Sequence, residues 1–173
     1  MSDKKYILIG DSITEWGAWD NLLPPHKIIN LGVAGNKVNQ VYERIVNMEL
    51  NCDKLFLLIG VNNLGDGDRV EYVMKDYGKL LDLIFTKLDK SKINLISVLP
   101  IDEGEWINPN FGNRTIEKLN SEIKLLSKKL DLNYIKMDEK FLNYSNPKEL
   151  YTDGLHLSEK GYELYSNELL KLL

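Results

Sequence analysis

Three polar side chains, one near the start of the chain and two near its end, carry the residue types for acyl transfer: Ser12, Asp153 and His156. A serine hydroxyl is a weak nucleophile until a neighbouring base takes its proton. An imidazole such as His156 suits that task, and a carboxylate such as Asp153 fixes the imidazole's tautomer and steadies the imidazolium that forms. Asp153 and His156 stand three residues apart, so a single loop can hold both. The reaction also needs donors aimed at the developing oxyanion. The backbone N–H groups of Ser12 and Gly35 and the side-chain amide of Asn62 are candidates. Losing one such donor typically costs roughly 3–4 kcal/mol of transition-state stabilisation.

These residues need elements to bring them together. Ser12 follows Lys5-Tyr6-Ile7-Leu8-Ile9-Gly10, whose apolar residues show no period-2 alternation. That is the pattern of a strand covered on both faces of a parallel sheet. Gly10 is expected to supply backbone angles that a β-carbon would disfavour at the turn. Ser12 then lies beyond the carboxyl end of a strand, where open α/β sheets bind ligands. Further strands are predicted over Lys27–Leu31, Lys54–Ile59, Ile93–Leu99 and Asn133–Met137. Between them, apolar spacing predicts helices: Asn36 caps one carrying Val38, Val41, Ile45 and Met48, a second runs from Asp68 to Leu88, and a third from Asn113 to Leu130. Ser158 is placed to cap a closing helix. Strands alternating with helices predict a three-layer α/β domain over residues 1–173 with a parallel sheet.

Four blocks of the sequence resemble the signature blocks of the SGNH (GDSL-like) hydrolases. They are Gly10-Asp11-Ser12-Ile13, Asn30-Leu31-Gly32-Val33-Ala34-Gly35, Gly60-Val61-Asn62-Asn63 and Asp153-Gly154-Leu155-His156, in the family's order and spanning nearly the whole chain. The resemblance implies that Ser12 is the nucleophile, that Gly35 and Asn62 serve the oxyanion hole with Ser12, and that Asp153 and His156 complete a triad. It implies a five-stranded parallel sheet in flavodoxin-like order 2-1-3-4-5. It also implies a serine esterase working through an acyl-enzyme on a small-molecule ester, without metal or organic cofactor. Ile13 stands where leucine is commoner, and Asn63 where the usual pattern has aspartate, which removes a charge beside Asn62. Within the family, Gly10 to Trp16 looks most like esterases that remove acetyl groups from sugars. Alternatives of the same resemblance are a lysophospholipase or thioesterase, or a silent carbohydrate-binding module. A minimal domain with no long insertions favours short acyl groups over long lipid chains.

Other features read more plainly. Asp11 suits an Asx turn or helix cap rather than a catalytic acid. His26 reads as an exposed loop residue, and the single cysteine, Cys52, as a small core residue unable to form an intrachain disulfide. Gly65-Asp66-Gly67-Asp68 lacks the ligand spacing of an EF-hand and reads as a solvated turn. Trp16, Trp106 and Phe111 are candidate pocket residues, the last two on a long loop over 101–112, with core packing the alternative for Trp16 and Phe111. A nucleophile elbow is absent, because Thr14 occupies its second glycine position. A phospho-receiver would want aspartate where Asn62 and Asn63 stand, and Glu15 and Trp16 would crowd a flavin phosphate. Net charge of −4 and pI near 5.3 argue against nucleic acid. No apolar run reaches the ~20 residues that span a bilayer. These features make a cytoplasmic protein the expectation.

Overall fold

The computed structural model describes residues 4–173. Five parallel strands form one sheet: β1 (Lys5–Gly10), β2 (Lys27–Gly32), β3 (Lys54–Leu58), β4 (Ile93–Ile96) and β5 (Asn133–Ile135). Their order is β2-β1-β3-β4-β5, as expected of the flavodoxin-like sheet. Helices α1 (Ser12–Glu15) and α2 (Trp19–Leu22) follow β1, and α3 (Val38–Ile45) follows β2. After β3 come α4 (Val61–Gly65) and α5 (Val70–Phe85), after β4 comes α6 (Asn113–Leu130), and α7 (Met137–Leu142) and α8 (Glu159–Leu170) close the chain. Because β1 lies between β2 and β3, the chain departs in opposite directions from its two flanks. This reversal leaves a crevice outside the strand ends, the place where α/β sheets build sites.

The lack of alternation in the strands has a direct cause. Ile7 and Ile9 of β1, with Leu55 and Leu57 of β3, face a core completed by α3, α5 and α6. Tyr6 and Leu8, with Phe56 and Leu58, face a second core completed by Trp19, Met137, Phe141, Tyr165 and Leu169. Both faces are therefore apolar. Cys52 is buried beside the first core. His26 departs from its expected exposure: it is half-buried, its ring meeting Tyr6 edge-on at 5.0 Å between centroids.

Several boundaries differ from those expected, some of them because a distant side chain takes the backbone. Strand β4 stops at Ile96 rather than Leu99. The Val98 N–H donates to Asn120 Oδ1 (2.7 Å) and its carbonyl accepts from Asn120 Nδ2 (2.8 Å), so Val98 pairs with α6. Strand β5 ends at Ile135, where Met137 begins α7 and Asp138 N–H donates to Ser97 Oγ. The helix after β2 is capped at Lys37, not Asn36, and ends at Ile45, leaving Met48 outside it. Helix α5 starts at Val70, two residues after the expected Asp68. Ser158 does cap α8, accepting from Gly161 N–H. Among the described residues, no helix is long and apolar enough to cross a membrane.

Candidate active site

Strand β1 delivers Ser12 with its neighbours already fixed. Asp11, 1% exposed, caps α1 by accepting the Ile13 N–H on Oδ1 at 3.1 Å. The Tyr162 hydroxyl donates to Ile13 O (2.8 Å) and Trp19 Nε1 to Thr14 O (2.7 Å), tying the short helix to α8 and α2. Gly10 is needed for a reason other than turn angles: a Cβ there would fall 2.2 Å from Thr14 Oγ1 and 2.5 Å from Leu58 O. Its role is close approach between α1 and β3, which the sequence alone could not distinguish from a turn glycine. Burial pushes the Asp11 carboxyl up to about 6, against the Ile13 hydrogen bond and the nearby His156, which both pull it down.

The Asp153–His156 loop is built by one carboxylate used twice. Asp153 Oδ1 accepts the backbone N–H groups of Leu155 (3.0 Å) and His156 (2.7 Å), while Oδ2 lies 2.6 Å from His156 Nδ1. Gly154 sits at φ +86, and the Tyr151–Leu157 bridge closes the loop's base. Partial burial tends to raise the Asp153 carboxyl, but the hydrogen bonds from the His156 ring and the two backbone N–H groups outweigh it and hold it below the usual carboxylate range. His156 Nε2 then lies 3.1 Å from Ser12 Oγ. Residues 144 positions apart thus form one hydrogen-bonded chain from Asp153 through His156 to Ser12.

The glycine-rich turn after β2 and the start of α4 meet through Asn36 and Asn62. Val33 N–H donates to Gly10 O (3.1 Å) and Ala34 N–H to Glu15 Oε2 (2.8 Å). Gly35 adopts φ +76, and a Cβ there would meet nothing within 4 Å, so its backbone angle rather than space calls for glycine. Asn62, in the first turn of α4, donates through Nδ2 to Asn36 O at 3.0 Å. The second hydrogen of that amide is the one available to a ligand. Asn63 does what its carboxamide allows and a carboxylate could not. Its Oδ1 accepts the Val38 N–H at the start of α3, and its Nδ2 donates to Asp68 Oδ2 at 2.9 Å. The turn over 65–68 is anchored as well as solvated, because Lys37 Nζ reaches Asp66 (3.0 Å) and Asp68 (3.6 Å).

The aromatic candidates separate. Trp16 is 54% exposed, and its ring lies 4.4 Å from that of His156 at a tilt of 36°. Trp106 meets His156 edge-on at 6.1 Å. The loop over 101–112 therefore packs on the site, and Asp102 N–H donates to Gly154 O (2.8 Å). Phe111 does not line the site: it is buried in the first core. Arg44, which grips the 33–36 turn through Asn36 and Leu31, carried no sequence signal of a role. Among the described residues, no group of three or more His, Cys, Asp or Glu side chains could hold a metal ion.

The model of the GDSL-like Lipase/Acylhydrolase family matches residues 8–164. The chain belongs to that family. The family is one of lipases and acylhydrolases. Among curated relatives, an N-acylneuraminate cytidylyltransferase of Escherichia coli O18:K1:H7 is 30% identical over 96% of this chain. The alignment covers 39% of that relative, so the chain spans about two-fifths of its length. The platelet-activating factor acetylhydrolase IB subunit alpha2 of Homo sapiens is 25% identical, over 96% of this chain and 75% of that one. A solved structure from Streptococcus pneumonia superposes with a TM-score of 0.89 at 26% identity, covering 99% of this chain and 85% of the other. An acetyl xylan esterase, AlAXEase, shares the fold with a TM-score of 0.82 at 23% identity, covering 98% and 99%.

Proposed function

We propose that residues 1–173 act as one serine esterase domain that removes short acyl groups, acetyl above all, through an acyl-enzyme. The observation that carries this reading is the contact of His156 Nε2 with Ser12 Oγ at 3.1 Å, with Asp153 holding Nδ1 at 2.6 Å. Ser12 Oγ attacks the ester carbonyl carbon as its proton passes to His156 Nε2. The carbonyl oxygen takes the charge, facing the N–H groups of Ser12 and Gly35 and the free amide hydrogen of Asn62. The tetrahedral centre collapses, the C–O bond to the alcohol breaks, and His156 returns the proton to the leaving oxygen. Water then attacks the acyl-enzyme with His156 as base, releasing the acid and restoring Ser12. Every proton moves through one imidazole, and no step calls for a metal or organic cofactor.

The acetyl-removing names carried by two of the similar proteins favour a short acyl group. The exposed Trp16 face beside His156 suits the apolar face of a sugar ring as the alcohol part, and an acetylated sugar is our favoured substrate class.

The test is the initial rate on p-nitrophenyl acetate for wild type and Ser12→Ala, with and without EDTA. Wild type is expected to turn over unaffected by EDTA, and Ser12→Ala to lose on the order of 10³-fold or more. A Ser12→Ala enzyme as fast as wild type refutes the nucleophile, and loss in EDTA refutes the metal-free scheme. On chain length, p-nitrophenyl acetate is expected to outpace the decanoate at equal enzyme, and the reverse order overturns the short-acyl reading.

A further inference from the structure

The turn that carries Gly35 is held by few contacts of its own. Gly35 is exposed, its backbone is left-handed, and its pro-Cβ position has no neighbour within 4 Å. What fixes the turn comes from outside it. Arg44, in the last turn of α3 and half-buried, donates from Nε to Asn36 Oδ1 at 2.7 Å and from Nη2 to Leu31 O at 3.0 Å. One guanidinium thus joins the end of β2 to the far side of the turn, with Gly35 between its two acceptors in sequence. Asn36 is held at two further points: its N–H donates to Val33 O (3.1 Å) and its carbonyl accepts from Asn62 Nδ2 (3.0 Å). Glu15 holds the Ala34 N–H.

From these contacts we infer that Arg44 is a positioning residue for the oxyanion hole, setting the rotamer of Asn62 and the direction of the Gly35 N–H through Asn36. The inference rests on the oxyanion-hole reading given above. The Asn36 carbonyl occupies one hydrogen of the Asn62 amide, and the direction of that bond fixes where the other hydrogen points. Movement of Asn36 therefore turns the Asn62 donor away from the oxyanion. The same movement swings Gly35, the residue before it. The planar fork of arginine suits two acceptors on different segments, whereas the ammonium of lysine is a point charge on a flexible stem. Arg44 touches no reacting atom, so its effect belongs in kcat rather than in substrate affinity.

The test is steady-state kcat and KM on p-nitrophenyl acetate for Arg44→Met, Arg44→Lys, Asn36→Ala, Asn62→Ala and the double variant Arg44→Met/Asn62→Ala. Misplaced donors lower kcat, so Arg44→Met is expected to lose on the order of tenfold in kcat while KM stays within about twofold. Arg44→Lys is expected to recover less than half of that loss on a logarithmic scale, because it cannot satisfy both acceptors. Asn62→Ala alone is expected to lose roughly 10²–10³ in kcat. On top of it, Arg44→Met should cost less than about threefold, since its main target is gone. Asn36→Ala keeps the carbonyl but removes the acceptor of Arg44 Nε. It should lower kcat in the same direction, and it carries the test if Arg44→Met fails to fold. Wild-type kcat in Arg44→Met or Asn36→Ala, with Asn62→Ala impaired, overturns the positioning role alone. A tenfold loss retained in full on the Asn62→Ala background also overturns it. An unimpaired Asn62→Ala enzyme overturns the oxyanion-hole reading itself, and with it this inference.

Discussion

Asp11→Asn is expected to stabilise the protein above pH 7 while lowering its activity. Asp11 is 1% exposed, and burial pushes its carboxyl from 3.8 up to about 6. An acid whose folded value lies above its unfolded one stabilises the fold through its protonated form. That contribution is complete below pH 3.8 and is lost as pH rises through about 6. Above pH 7 the ionised carboxylate is held in the interior, at a cost of about 3 kcal/mol relative to its protonated state. Asparagine removes the charge and keeps the cap, since its Oδ1 can accept the Ile13 N–H as Asp11 does and the two residues cap about equally well. The stability difference between variant and wild type should therefore widen with pH, with about 1 kcal/mol of the change falling between pH 5 and pH 8. Urea denaturation of both proteins at several pH values measures that difference and cancels the other titrating groups. Activity should move the other way, because the Asp11 carboxylate attracts the imidazolium that forms at His156. The kcat deficit of the variant should grow as pH passes 6. A stability difference that is flat between pH 5 and 8 would refute the argument, as would an Asp11→Asn enzyme less stable than wild type at pH 8.

Other expectations follow from single contacts. Asn63→Asp replaces a donor to Asp68 Oδ2 with a second carboxylate, only partly offset by Lys37. It should destabilise by about 1–3 kcal/mol at pH 8 and by less at pH 4.5, read from thermal melts at the two values. Equal losses at both would remove the charge argument. Gly154→Ala sets a Cβ 2.7 Å from the Trp106 backbone nitrogen at φ +86. It should cost about 1–3 kcal/mol or more of stability and lower kcat by disturbing the Asp153–His156 loop, whereas wild-type values for both would show that the loop tolerates a side chain there.

The sheet was legible in the sequence because its strands are covered on both faces. A continuous apolar run such as Tyr6 to Ile9 is a local property of the chain, and the strand-end loops carrying Ser12, Gly35 and Asn62 follow directly from it. The pairing of Asp153 with His156 was legible too, since a short loop is enough to hold residues three apart. Helices α4 and α7 leave no such local pattern. They are a few residues long, and their ends are set by partners such as Ser97 rather than by apolar spacing.

What only the tertiary structure decided concerns contacts between segments far apart in sequence. Phe111 and Trp106 share a loop, yet one enters the core and the other meets His156, and no local pattern distinguishes them. Gly10 reads as a turn residue until Leu58 O and Thr14 are seen closing on it. Arg44 looks like any helix-surface cation until its guanidinium is found on Asn36 and Leu31. Residue type and short-range spacing determine which elements form and which loops carry polar groups. Which side chain meets which acceptor depends on how those elements pack, because hydrogen bonds and close contacts act over a few ångströms and the sheet brings residues over a hundred positions apart to that distance.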